Sequence, residues 1–319
     1  MASGSNPPFS TPILPYGSEA VAEAARLILA GEPVAVPTET VYGLAADSTN
    51  AEAVARIYEA KGRPSFNPLI VHVASRAMAQ SLAQFDQLAQ TLADHFWPGP
   101  LTLVLPKRDD CPVASIATAG LSTIAIRMPA HPAMRDLIEA TEKPLAAPSA
   151  NASGRISPTT AAHVRASLDG LIPLILDAGP CAAGLESTII APGTDAIRLL
   201  RPGPVTGEML EAASGVRVIA DSSDKITAPG QLASHYAPSK PVRLNVTERA
   251  EGAFLIGFGD VAGDFNLSAA GDLTEAAARL FDALHSADAS GAAEIHVAPV
   301  RAIGLGIAIN DRLNRAAVQ

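Results

Sequence analysis

The sequence switches repeatedly between the 3.6-residue spacing of an amphipathic helix and the continuous apolar runs of a buried strand, and that alternation restricts it to an α/β fold. "SEAVAEAARLILAG" reads as a helix from an N-cap at Ser18 to Gly31 just past its end. "PVAVPTETVYGLAAD" reads as the buried strand that follows, interrupted by Pro37 and turning at Gly43. "NAEAVARIYEAKG" is a second helix, capped by Asn50 and closed by Gly62. "NPLIVHV", "LTLVLP" and "STIAIRMP" read as strands, with a helical stretch ending at Trp97-Pro98 between the first two. "HPAMRDLIEATE" is helical, and "PLAAPSAN" runs from strand into loop. "SPTTAAHVRASLDG" is a helix with Ser157 as N-cap and Pro158 in its first turn. The strands "LILDAG", "STIIA" and "AIRLLRPG" complete a first domain over residues 14–216. Residues 217–240 lack periodicity and carry Ser, Pro and Gly, the composition of an interdomain linker. Residues 241–319 repeat the strand–helix alternation on a smaller scale, predicting a small parallel sheet.

At 319 residues, 48% of them apolar, the chain can bury two cores. A formal net charge of −9 argues against nonspecific coating of nucleic acid, which needs a broad basic field, but leaves room for a local basic cleft. Cys111 and Cys181 form no CxxC pair, so neither a disulfide framework nor a zinc site is expected, and a reducing cytoplasm fits. The opening "MASGSNPPFSTP" lacks the charged and apolar regions of a secretory signal, and no apolar run is long enough to span a bilayer.

Chemistry concentrates at strand ends. "KGRPSFNPLIVHV" sets Lys61 and Arg63 near Asn67 and His72. The two cations are either a helix-terminal lysine and a surface arginine, or a clamp for an anion. In the strand itself Leu69, Val71 and Val73 share one face, Ile70 and His72 the other. "APSANASGRISPT" ends a strand and then presents Ser149, Asn151, Ser153 and Ser157 before a helix opens, which suits an anion or a capping-rich loop. "VPTETVYG", Ser187, Arg201 and the same-face pair Thr123 and Arg127 add polar groups at other strand ends. Such convergence suits a pocket for a nucleotide and a small polar substrate. GxxxxGK[ST], GxGxxG, HExxH and GxSxG are all missing, which removes a P-loop ATPase, a dinucleotide dehydrogenase, a zinc protease and a nucleophile elbow.

In order, "PTETVYGLAADS", "AKGRPSFNPLIVHV", "WPGPLTLVL", "IAIRMPAHP", "APSANASGRISPT", "ESTII" and "LLRPG" resemble the successive motifs of the YrdC family, and "GQLASHYAPSKP" with "GIAINDRLNRAA" resembles its longer, two-domain form. The resemblance implies a YrdC-like twisted mixed sheet with flanking helices around a concave cleft, plus a small Rossmann-like parallel α/β C-terminal domain. It implies a threonylcarbamoyl-AMP synthase activity: L-threonine, bicarbonate or CO2, and ATP with Mg2+ give threonylcarbamoyl-adenylate and pyrophosphate. A separate transferase complex would then carry the group to tRNA, which this chain would meet only indirectly. The family's catalytic elements fall on Lys61, Arg63, Ser149 and Asn151. Its threonine contacts fall on Thr40, His72, Arg127, Ala147 and Ser187, and its nucleotide contacts on Arg63, Asn67, Thr123, Ser149, Ser157 and Arg201. The two-domain form also implies that the segment from 231 to 241 folds over the cleft as a lid, with Tyr236 at the nucleotide and the second domain holding its far end. Two rivals are a carbamoyltransferase of the same fold, disfavoured because the paired CxxC motifs are missing, and an RNA-binding module, disfavoured by charge and by the lack of an aromatic stacking platform.

Overall fold

The computed structural model describes residues 9–220 and 235–318. The first domain runs β1 (Ile13–Pro15), α1 (Ser18–Leu29), β2 (Val34–Pro37), β3 (Tyr42–Asp47), α2 (Ala51–Lys61), β4 (Ile70–His72), α3 (Arg76–Leu82), α4 (Gln87–Phe96) and β5 (Leu101–Pro106). It continues through β6 (Thr123–Arg127), α5 (Pro132–Thr141), β7 (Leu145–Ala146), α6 (Ala161–Leu168), β8 (Ile175–Asp177), β9 (Thr188–Pro192), β10 (Ile197–Arg201), α7 (Gly207–Ser214) and β11 (Val218–Ala220). The second domain holds β12 (Val242–Leu244), β13 (Ala253–Gly257), β14 (Phe265–Asn266), α8 (Leu273–Ala289), β15 (Glu294–Val297) and α9 (Leu305–Ala317). No helix among the described residues is long and apolar enough to cross a membrane.

The first domain's strands form a mixed sheet in the order β1-β8-β2-β3-β7-β4-β6-β5-β9-β10-β11, and the second domain's an all-parallel sheet in the order β12-β15-β13-β14. In β4 the expected alternation holds: Leu69, Val71 and Val73 enter the core, while Ile70 and His72 face a cleft. β4 and β6 pair in parallel with His72 opposite Arg127, which sets two functional side chains at one sheet end. Asn50 caps α2 by accepting from the backbone N–H groups of Glu52 and Ala53, and Gly62 ends it at φ 58°, the left-handed conformation that glycine adopts freely.

Four local expectations change. α1 starts at Ser18 with Gly17 as its N-cap, so Ser18 is its first residue and caps nothing. The run over 33–47 is a hairpin of β2 and β3 that reverses at 38–41, where the Thr38 hydroxyl donates to the Val41 carbonyl at 2.7 Å, and Gly43 lies inside β3. α6 begins at Ala161 with Thr160 as its N-cap, accepting from the His163 N–H, while Ser157 lies ahead of the helix and its hydroxyl donates to Glu186. The linker expected from residue 217 opens as β11, paired in parallel with β10, and its middle, 221–234, lies outside the described residues.

The two domains share a packed face. Helix α8 buries Ala276, Ala277, Leu280, Phe281, Ala283, Leu284 and Ala287, a helical stripe that meets Val41, Ile156 and Leu185 of the first domain in one apolar cluster. Across the same face His163 of α6 stacks on His285 of α8 at 3.8 Å. The backbones also come close at Gly184, which has φ +67° and where a Cβ would stand 2.4 Å from Ala278 Cα and 2.5 Å from the Ala277 carbonyl oxygen. Gly184→Ala is therefore expected to pry α8 off the first domain, at a cost of about 2 kcal/mol or more from overpacking and backbone strain. A clear drop in the thermal midpoint checks this; an unchanged midpoint would show that the domains are not held at this contact.

Candidate active site

The cleft lies where several strand ends and loops converge. His72 ends β4, Arg127 ends β6 and Arg201 ends β10. Thr38, Thr40 and Val41 come from the hairpin turn, Ala147 to Ser149 from the loop after β7, and Glu186 and Ser187 from the approach to β9. Arg63, just beyond α2, and His235 and Tyr236, just before the second domain, complete the lining. Gly203 backs one wall so closely that a Cβ would come within 2.5 Å of Thr188 N and 2.8 Å of the Glu186 carbonyl oxygen.

Three basic side chains here are buried and bonded to neutral protein oxygens. Lys61 Nζ donates to the Ser149 carbonyl at 2.6 Å and to the Asn151 carbonyl. Arg63 Nη2 donates to the carbonyls of Asn67, at 3.5 Å, and Pro68, at 3.2 Å. Arg201 sends Nε and Nη2 to the Ser187 carbonyl, at 3.0 and 2.9 Å, and Nη2 to its hydroxyl at 3.2 Å. None of the three meets a carboxylate among the described residues. Burial, then the neighbouring Arg63, pulls the Lys61 pKa well below its ordinary value. Burial brings Arg63 down to about 10 and also lowers Arg201.

The carboxylates nearby are answered by other arginines. Glu39 pairs with Arg127 Nη2 at 2.7 Å, and Arg127 Nη1 donates to the Thr40 hydroxyl at 2.9 Å. Glu186, the one carboxylate among the described residues lining the cleft, accepts from Ser157 and pairs with Arg312 Nε at 2.8 Å. Burial pushes both carboxyls up, but their arginines outweigh it and hold them below the ordinary value. Arg312 comes from α9 in the second domain and packs under the Tyr236 ring, 5.3 Å from its centroid.

Of the residues singled out in sequence, Thr40, Arg63, His72, Arg127, Ala147, Ser149, Ser187, Arg201 and Tyr236 line the cleft together. Lys61 sits directly behind the loop of residues 149–151 and fastens it. Asn151 braces the same loop, its Nδ2 donating to the carbonyls of Ala152, at 3.0 Å, and Arg155, at 2.8 Å. Asn67 is buried beside Arg63, and Ser157 lies behind Glu186. Thr123 starts β6, at the opposite end of that strand from Arg127, and is not part of the lining. Arg63 Nε, Asn67 Oδ1, Asn151 Oδ1, His235 Nδ1 and the Tyr236 hydroxyl are buried without a hydrogen-bond partner among the described residues, the condition of polar groups that await a ligand or water. Sequence reasoning did not assign Glu39, Glu186, His235 or Arg312 to the site. "PTET" and "ESTII" carry both glutamates, but nothing local says which arginine answers each.

A Sua5/YciO/YrdC family model, described as telomere recombination, matches residues 26–203, and a second, described as the C-terminal domain of threonylcarbamoyl-AMP synthase, matches residues 205–318. The chain is 42% identical to a threonylcarbamoyl-AMP synthase of Bacillus subtilis, over 93% of this chain and 92% of that one. This chain belongs to the threonylcarbamoyl-AMP synthase family. A threonylcarbamoyl-AMP synthase of Pyrococcus abyssi is 43% identical, covering 92% of both chains. The crystal structure of P. abyssi Sua5 complexed with L-threonine matches with a TM-score of 0.87 at 41% identity, covering 96% of each chain. The fold is therefore that of the threonylcarbamoyl-AMP synthase family, an ATP-using class of enzymes.

Burial also fixes the charge state of three histidines in and beside this site. His72 is held down to about 3 by burial and then by Arg127, His235 to about 3 by burial, and His163 to about 3 by burial and then by His285. In the unfolded chain each would titrate near the ordinary 6.5. Between those values the unfolded state binds more protons than the folded one, so the stability is complete above about 6.5 and is lost as pH falls toward about 3. The thermal midpoint is expected to drop between pH 7 and 5, before most carboxylates titrate. A midpoint that stays flat over that range would contradict the neutral burial of these imidazoles.

Proposed function

We propose that this cleft makes threonylcarbamoyl-adenylate and pyrophosphate from L-threonine, bicarbonate or CO2, and ATP. The observation that carries the reading is the set of three buried basic side chains, Lys61, Arg63 and Arg201, bonded among the described residues only to neutral oxygens while the cleft's carboxylate is already paired. Such groups are preorganised for a polyanion.

The chemistry asks for that arrangement. The threonine amine captures CO2 as a carbamate, one carbamate oxygen attacks the α-phosphorus, and pyrophosphate leaves. Two anions must approach each other, so cations beside the α-phosphate lower the repulsion and stabilise the charge of the transition state. Lys61 and Arg63 take that role, with Ser149 and Asn151 shaping the loop that Lys61 fastens. An incoming phosphate also restores the charge that burial weakens on Lys61. Arg201, Asn67, Ser157 and Tyr236 serve the nucleotide, and Thr123 would join them only through a substrate that reaches the start of β6. Thr40, His72, Arg127, Ser187 and the backbone at Ala147 serve threonine. His72, neutral by burial, orients the substrate and takes up no further proton. Mg2+ would supply charge neutralisation on the phosphates. With Glu39 and Glu186 both committed to arginines, its ligands would come mainly from ATP oxygens and water. The product is a reactive mixed anhydride, so a separate transferase must consume it and deliver the group to tRNA. The net charge of −9 fits an indirect relation to that tRNA.

The deciding assay incubates the full chain with radiolabelled bicarbonate, ATP and L-threonine; a threonine-dependent labelled adenylate is expected, and its absence from well-folded protein would refute the reading. In the same assay Lys61→Ala should lower turnover by about 2–4 kcal/mol of transition-state stabilisation while threonine affinity changes little. Full activity of a folded Lys61→Ala chain would remove Lys61 from the machinery. Threonine should be used well ahead of valine, because valine offers no hydroxyl to the polar lining of Thr40, His72 and Ser187, where His72 Nδ1 is buried without a partner among the described residues, with serine the closest competitor. Equal product from threonine and valine would contradict that assignment.

A further inference from the structure

We infer that Arg312, on the last helix of the second domain, is a positioning residue for the nucleotide: it cancels the charge of Glu186 and so leaves Arg201 free to face the phosphates. This rests on the proposed adenylate chemistry for the choice of ATP as ligand. Glu186 lines the cleft, and a bare carboxylate there would repel a polyphosphate. Arg312 is fully buried and answers it, with Nε 2.8 Å from Oε2. Among the other described groups facing Glu186, none forms an ion pair with it: Arg201 acts on it only through space, with Nε and Nη2 bonded to Ser187, Ser157 offers a hydroxyl, and His235 is held neutral by burial.

Arg312 holds two more parts of the wall. Its Nη1 donates to the Pro202 carbonyl at 2.9 Å, next to Arg201, and to Asp311 at 2.8 Å. Its guanidinium lies under the Tyr236 ring. Without Arg312, Glu186 would either stand unpaired or draw Arg201 to itself, and each outcome removes a cation from the phosphate side of the cleft. A residue that merely pinned the two domains together would behave differently: its loss would cost stability without regard to the charge left on Glu186.

The test uses the full chain and reads ATP affinity directly by calorimetry, beside KM and kcat for adenylate formation. Arg312→Gln is expected to weaken ATP binding and raise its KM by roughly tenfold or more, with a smaller change in the KM for threonine. Glu186→Gln added to Arg312→Gln removes the uncompensated charge and should bring ATP affinity back to within about threefold of the unmodified chain. Arg312→Lys, which keeps the charge, should also bind ATP well. If Arg312→Gln does not fold, the double variant and Arg312→Lys still decide: ATP binding retained in both supports charge cancellation, and binding lost in the folded double variant overturns it. Unchanged ATP affinity in a folded Arg312→Gln chain overturns it as well. Failure of the unmodified chain to form any adenylate would instead count against the proposed function, and the ATP-binding comparison would still judge Arg312.

Discussion

Burying Lys61, Arg63 and Arg201 with no ion-pair partner among the described residues is the constraint around which the first domain is arranged. Removing such a charge from water costs several kcal/mol unless dipoles replace the lost hydration. Here the replacement is backbone carbonyl groups, each aimed by a strand end. The Ser149 and Asn151 carbonyls follow β7, those of Asn67 and Pro68 precede β4, and that of Ser187 precedes β9. A carbonyl can be aimed this way only if the loop carrying it is fixed at both ends. The bracing of the 149–155 loop by Asn151 and the backing of Ser187 by Gly203 therefore belong to the electrostatics as much as to the packing.

This arrangement also explains which parts were legible in the sequence. Strand identity follows from short apolar runs, and alternation within "NPLIVHV" correctly turned Ile70 and His72 toward one side. The placement of Thr40, Arg63, His72, Arg127, Ser149, Ser187 and Arg201 around one cleft followed from their common position at strand ends and from the family resemblance. Pairing partners were not legible. Glu39 meets Arg127 only because the β2–β3 hairpin reverses at 38–41 and β6 lies parallel to β4, and neither register is written locally. Ser157 shows the same limit in reverse. Ser-Pro ahead of an apolar run is a strong local signal for a helix start, yet the helix opens later with Thr160 as its cap, and the Ser157 hydroxyl donates to a carboxylate 29 residues away in sequence.

The reversal inside "PVAVPTETVYGLAAD" was hidden for a related reason. A continuous apolar run marks burial on both faces, and two short antiparallel strands in mid-sheet produce the same run as one long strand. The clue was Thr38, whose hydroxyl closes the turn onto Val41 and also meets Thr40 at 2.8 Å. A pair of threonines around a glutamate suits a tight turn with side-chain-to-backbone bonds better than it suits a strand interior.

Tyr236 joins the two domains energetically. It is not glycine, yet it holds φ 62°, a left-handed conformation that costs an ordinary residue about 1–2 kcal/mol. The offset comes from both sides. Its neighbour Ala237 donates to the Gly154 carbonyl at 2.8 Å and bridges to Arg155, which ties the backbone to the loop of residues 149–155. Its ring is fully buried against Phe281 of α8 and over Arg312 of α9. Burial of an aromatic ring of this size contributes about 1.5–3 kcal/mol, enough to hold the strained backbone only while the second domain is in place. The second domain therefore sets the conformation of a cleft residue through packing, and the Tyr236 hydroxyl, without a partner among the described residues, is aimed by that packing.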